Sequence, residues 1–344
     1  MKLKLLLLLS AVVFLASCAS APPPIDLSGY VWPKPPDEPK IKLIKFLITD
    51  VDVRELSTVE KIFGSDPTFR FEKPHAITVD KDGNIYVTDT RRNQVVIMNP
   101  DKKTFTTLGN PYSWRSPLGV AVDNTNNLIA VADGASGQVF VFDRIRRSFE
   151  YAIGQKGEFR NPVGVAFDSD RQILYIADSK KHEISAYSLN GQFIKRVAES
   201  GVAAGQVYYP SQMVTDAQGL LYVVDTMNFR IQILDPMGDQ PPKVIGEHGN
   251  APGMFARPKG IAVSPDGYIF VTDAAFGNFQ IFDNQGKNYL FVGITGPGPG
   301  MFDVPQGIYV DDNDKIYVAD QLNRRVQIFQ YMSERYKAEA GIQK

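Results

Sequence analysis

One tripeptide recurs six times along this chain: Val87-Thr88-Asp89, Val131-Ala132-Asp133, Ile176-Ala177-Asp178, Val223-Val224-Asp225, Val271-Thr272-Asp273 and Val318-Ala319-Asp320. The aspartates stand 44, 45, 47, 48 and 47 residues apart. A proline precedes each by 15 or 16 residues, at Pro74, Pro117, Pro162, Pro210, Pro258 and Pro305. A period of this length over most of a chain means one supersecondary unit copied in series. Length alone would permit two domains, but the unbroken repeat argues for one.

Each unit reads as β-structure. In the first copy, residues 75–80 alternate apolar and polar, as a half-buried strand does. Lys81-Asp82-Gly83-Asn84 is turn chemistry, and Ile85-Tyr86-Val87 is β-branched and aromatic. A polar loop at 90–93 leads to a third strand at 94–98, and Asn99-Pro100-Asp101 turns the chain into a fourth. A lone four-stranded sheet cannot bury both faces, whereas six arranged radially cover one another. The expected fold is therefore all-β: a six-bladed β-propeller of four-stranded antiparallel blades. The sixth copy reaches only its third strand, at 326–329, so an N-terminal strand should close the ring. Residues 41–49 and 59–63 are both candidates, and 335–340 is the C-terminal alternative.

The motif around each aspartate is similar to that of the NHL-repeat family. Asn228-Phe229-Arg230-Ile231-Gln232 and Asn323-Arg324-Arg325-Val326-Gln327 match its core closely. So do the lead-ins Gly246, Gly249, Gly253-Met254-Phe255 and Gly293, Gly296, Gly300-Met301-Phe302. The resemblance covers residues 59–330 and implies the same propeller.

The N-terminus is a separate element. Lys2 and Lys4 precede an apolar run over 5–14, too short to span a bilayer as a mature helix. It ends in Leu15-Ala16-Ser17-Cys18, which resembles the lipobox of bacterial lipoproteins. That resemblance implies a signal peptide over 1–17 and acylation of Cys18, palmitate-type chains holding the protein on a membrane. Ala19 after the cysteine implies the outer membrane, with the side of display open. A plain secretory signal is the alternative. Cys18 is the one cysteine of 344 residues, so no disulfide is possible within the chain. Residues 18–39 are rich in proline and read as a tether, residues 40–332 as the propeller, and 333–344 as a charged tail.

Function is less legible. Loops entering the first strand and loops joining the second to the third emerge on one face. That face collects cations and aromatics; the opposite turns collect aspartates. The candidate ligand-binding residues are Arg91, Arg92, Trp114, Arg115, Lys180, Lys181, Tyr209, Phe229, Arg230, Arg257, Arg324 and Arg325. Such a face suits an anionic or sugar-containing ligand, by charge steering and stacking. Acids lie there too, at Asp66, Glu72, Glu158, Glu183 and Asp303, and an arginine of the third strand can simply pair with a strand-end aspartate. The six aspartates themselves read as acceptors that brace their turns. Nucleic acid is a poor ligand for an exported chain of pI near 6.3.

Enzymatic propellers are the competing class. Amidating lyases, similar to NHL repeats, hold zinc with histidines that follow the repeat proline, and Pro74-His75 matches that position. The equivalents are Leu118, Val163, Ser211, Lys259 and Gln306, while His182 and His248 lie in other loops. A catalytic zinc needs about three protein ligands, so His75 is only a weak metal candidate, and no cofactor and no catalytic residue are expected. The expectation is a monomeric, lipid-anchored binding or scaffold propeller of the bacterial cell envelope. Its partner would be a protein, peptide or anionic glycan. The alternative is a metal-dependent lyase or lactonase-like enzyme with an axial site near His75.

Overall fold

The computed structural model describes residues 25–109, 111–155 and 157–341, so Cys18 and the signal segment lie outside the described residues. Six antiparallel sheets follow one another around an axis. Blade 1 runs Pro74–Val79, Ile85–Asp89, Gln94–Asn99 and Thr104–Thr107, inner to outer. Blades 2 to 5 repeat that order, with inner strands Pro117–Asp123, Pro162–Asp168, Pro210–Thr215 and Pro258–Val263. Proline opens every inner strand, the one strand position where a missing N–H costs nothing.

Blade 6 closes the ring. Its inner strands Pro305–Val310, Lys315–Asp320 and Arg325–Tyr331 are joined by Ile41–Leu47 from the N-terminal side. The register runs from Ile41 opposite Tyr331 to Leu47 opposite Val326. Of the two expected closures, 41–49 is the one used. Residues Thr58–Phe63 instead form a short helix, because Ser57 and Glu60 make a capping box. The C-terminal alternative is a helix as well, Glu334–Glu339, capped by Ser333, whose hydroxyl accepts from the Tyr336 N–H. Part of the proline-rich stretch also joins the blade: Val31–Trp32 pairs with Ile41–Lys42 as a fifth strand. Trp32 seats its ring edge-on to Phe329, 5.9 Å between centroids.

The core is not central. Among the described residues it falls into six apolar clusters, each between two neighbouring blades. Ile41 and Leu43 complete the cluster between blades 5 and 6, and Leu47 that between blades 6 and 1. Closure and burial are thus the same event. Phe255 and Phe302, the aromatics of the lead-in motif, are fully buried in these seams. Burial of one such ring is worth roughly 1.5–3 kcal/mol.

Around the axis the inner strands approach very closely. The second residue after the blade proline is glycine in four blades: Gly119, Gly164, Gly260 and Gly307. A Cβ on Gly119 would sit 2.4 Å from the Val163 carbonyl oxygen, and one on Gly164 2.2 Å from that of Ser211. Glycine is there because the next blade's backbone occupies the space of a side chain.

Candidate binding site

The loop face is organised by the six strand-end aspartates, all buried. In blade 2, Asp133 accepts from the backbone N–H groups of Arg115, Ser116, Ala135 and Ser136. Asp89, Asp178 and Asp273 do the same in blades 1, 3 and 5. One carboxylate therefore ties the lead-in to the loop between the second and third strands. Blades 4 and 6 add side chains. Asp225 takes Asn228, Arg230 and Gln232, and Asp320 takes Asn323, Arg325 and Gln327, beside one lead-in amide each. The glutamines reach further: Gln232, Gln280 and Gln327 each accept from a lead-in glycine N–H and donate to the next carbonyl. The asparagine, arginine and glutamine of the repeat core are struts.

This sorts the candidate residues. Arg230 and Arg325 are held in ion pairs of 2.8 Å with buried aspartates and give their remaining donors to lead-in carbonyls. Arg92 lies over the Phe69 ring and pairs with Glu72 at 3.3 Å. Lys181 donates to the Glu158 carbonyl. Trp114 packs edge-on to Phe140 and donates to the Leu108 carbonyl. Arg91 is exposed, 3.8 Å from Glu72. Arg115, Lys180, Arg257 and Arg324 are exposed, and none has a side-chain hydrogen bond or ion pair among the described residues. They belong to blades 2, 3, 5 and 6.

Aromatics gather on one sector. Tyr208 and Tyr209 are about two-fifths exposed and enclose His182, with centroids 4.5 and 4.3 Å away. Phe229 packs at a tilt against His248, 4.4 Å between centroids. Met227 lies exposed between them in blade 4's loop.

Where the loop face meets the axis it opens into a funnel of about 280 Å³. The residues that follow the six blade prolines all line it: His75, Leu118, Val163, Ser211, Lys259 and Gln306. Gln212, Tyr209 and Met227 line it as well, with Asn161, Ser179 and Thr226. His75 donates from Nδ1 to the Leu118 carbonyl, 2.8 Å away, since a carbonyl oxygen can only accept. Its Nε2 is then an open acceptor. Burial pushes its pKa down to about 4, a lowering to which the nearby charges of Lys259 and Lys73 add. Lys259 is also pushed below the usual lysine range, by burial first and by Arg257 second. Below the funnel the axis continues as a channel of about 210 Å³ walled by side chains such as Ile77, Val120, Val165, Ile261 and Ile308.

No group of three His, Cys, Asp or Glu side chains able to hold a metal occurs among the described residues. His75 is the one imidazole on the funnel wall. Sequence reasoning did not count Gln212 among the site residues, and it set Lys259 and Gln306 down as the counterparts of His75 in other blades. The signal for them was the register itself, because equivalent positions of a closed repeat must share one ring.

The NHL repeat family matches residues 71–98 and 115–142, and DUF5128, described as a 6-bladed β-propeller, matches residues 261–342. The chain is a six-bladed β-propeller that carries NHL repeats at residues 71–98 and 115–142. No curated protein matches this chain in sequence. Solved structures share its fold. A protein of unknown function from Bacteroides thetaiotaomicron is 15% identical with a TM-score of 0.62, over 77% of this chain and 71% of its own. An auxiliary nutrient binding protein from the same organism is 14% identical with a TM-score of 0.60, over 76% and 70%. Virginiamycin B lyase from Staphylococcus aureus is 13% identical with a TM-score of 0.58, over 84% and 99%.

Proposed function

We propose that this NHL propeller is a binding protein of the bacterial cell envelope, anchored by lipid at Cys18, that captures an anionic glycan or peptide on its loop face. The observation that carries the reading is the set of four exposed cations, Arg115, Lys180, Arg257 and Arg324, unpaired among the described residues and spread over four blades around one funnel. Cations engaged in struts build the fold; cations left free on the same face are available to a partner. Tyr208, Tyr209 and Met227 supply flat apolar contact beside them. Steering by such a face falls with ionic strength.

Reversing the four to glutamate should abolish binding of the full chain to envelope material at low salt while leaving its unfolding transition in place. Retained binding sinks the assignment of the face. The anchor is tested separately. Cys18→Ser should move the chain from the membrane fraction to the soluble fraction and end incorporation of labelled palmitate; a variant that stays acylated contradicts it.

A further inference from the structure

We infer that the axial funnel is a carboxylate receptor for an acidic sugar, taking the uronic-acid end of the ligand whose remainder lies on the loop face. This deepens the binding reading above and rests on it. No acidic side chain among the described residues lines the funnel. Lys259 lines it with an ammonium that has no hydrogen bond or ion pair among the described residues. The carboxylate whose attraction it feels is Asp273, and that group is already engaged by the N–H groups of Ala256, Arg257, Ala275 and Phe276. A desolvated cation without a counter-charge is costly to the fold unless something else supplies the charge.

Two glutamine carboxamides line the same funnel. Gln306 is only 7% exposed, its carbonyl accepts from Thr272, and its side-chain amide has no partner among the described residues. The Gln212 amide crosses toward the neighbouring blades. A Cβ on Gly260 would lie 3.0 Å from its Oε1, and one on Gly307 2.9 Å from its Nε2. The two glycines leave room for that amide at the axis. His75 contributes the opposite chemistry, a neutral Nε2 that accepts a hydrogen bond from a donor next to the anion. An ammonium, two carboxamides and an imidazole acceptor around one funnel match a carboxylate with a neighbouring hydroxyl. A volume of about 280 Å³ lies below the usual range for a whole drug-sized ligand, so one sugar ring enters and the chain of the glycan stays outside. Tyr209 and Met227 sit at the rim where the next ring would stack.

Calorimetric titration of the full chain tests this with galacturonic acid, a short galacturonate oligomer, the matching neutral galactose oligomer and an acetylated tripeptide acid. The acid and its oligomer should bind and the neutral oligomer should not. Lys259→Met should weaken acid binding about ten- to a hundredfold, the effect of one charge-assisted contact. Its melting temperature should hold or rise, because the lysine has no partner among the described residues. Gln306→Leu, the second variant, should weaken binding severalfold. Arg115→Glu with Arg324→Glu should weaken the oligomer while sparing galacturonic acid. Unchanged affinity in Lys259→Met overturns the funnel site, and if the surface pair still weakens the oligomer the loop-face reading survives. Binding of the tripeptide acid alone, or of no probe, overturns the sugar assignment.

Discussion

Asp320→Ala should destabilise the propeller by about 3–5 kcal/mol, the cost of stranding a buried charge. The Asp320 carboxylate is fully buried and accepts from the Asp303 N–H at 2.8 Å, Asn323 Nδ2 at 2.9 Å, Arg325 Nε at 2.8 Å and Gln327 Nε2 at 3.0 Å. Asn323 keeps the Gly296 carbonyl after the change, and Gln327 keeps that of Met301. Arg325 keeps the Gly298 and Met301 carbonyls but loses its only anion. The loss is therefore concentrated in one guanidinium and one amide. Urea unfolding read by midpoint and slope measures it. The double change Asp320→Ala with Arg325→Met removes both charges, and should recover at least about 2 kcal/mol of the single variant's loss. A loss under about 1 kcal/mol, or a double variant whose losses simply add, would refute the brace.

Leu43→Ala should cost about 2–5 kcal/mol, because Leu43 is fully buried where the N-terminal strand joins blade 6; circular dichroism melts check it. Gly164→Ala should destabilise by at least about 1 kcal/mol, since the Ser211 backbone must yield to a Cβ 2.2 Å away. A neutral result in denaturant would mean the inner strands are looser than described. His75 predicts a pH effect. Its ordinary pKa of 6.5 falls to about 4 in the fold, so between those values the unfolded chain binds the proton and the folded chain does not. Stability should decline as pH falls from 6.5 to 4 and then level, by at most roughly 3 kcal/mol. His75→Gln should flatten that limb in unfolding curves taken at stepped pH.

Blade number, strand order and loop sorting were legible because a repeat reports the same information six times. Closure was ambiguous because 41–49 and 59–63 both carry apolar residues of strand type. The capping box of Ser57 and Glu60 separates them locally, and the seam between blades 5 and 6 decides for Ile41 and Leu43. Charge was legible as a face but not as a partner list. Arg230 and Arg325 sit five residues after their aspartates and fold back onto them, whereas Arg324, one residue earlier, turns outward. Lys259 shows the limit more sharply. Its place on the ring follows from the repeat, but its lack of a counter-charge depends on four amides having claimed Asp273.

The most direct test of loop-face capture is photocrosslinking in intact membranes from paired positions. A crosslinking residue placed at Lys180 or Leu322 on the loop face should give a partner adduct. The same residue at Asp266 or Asp312, in the turns of the opposite face, should give none. Adducts of equal yield from both faces, or from the turns alone, would contradict the account.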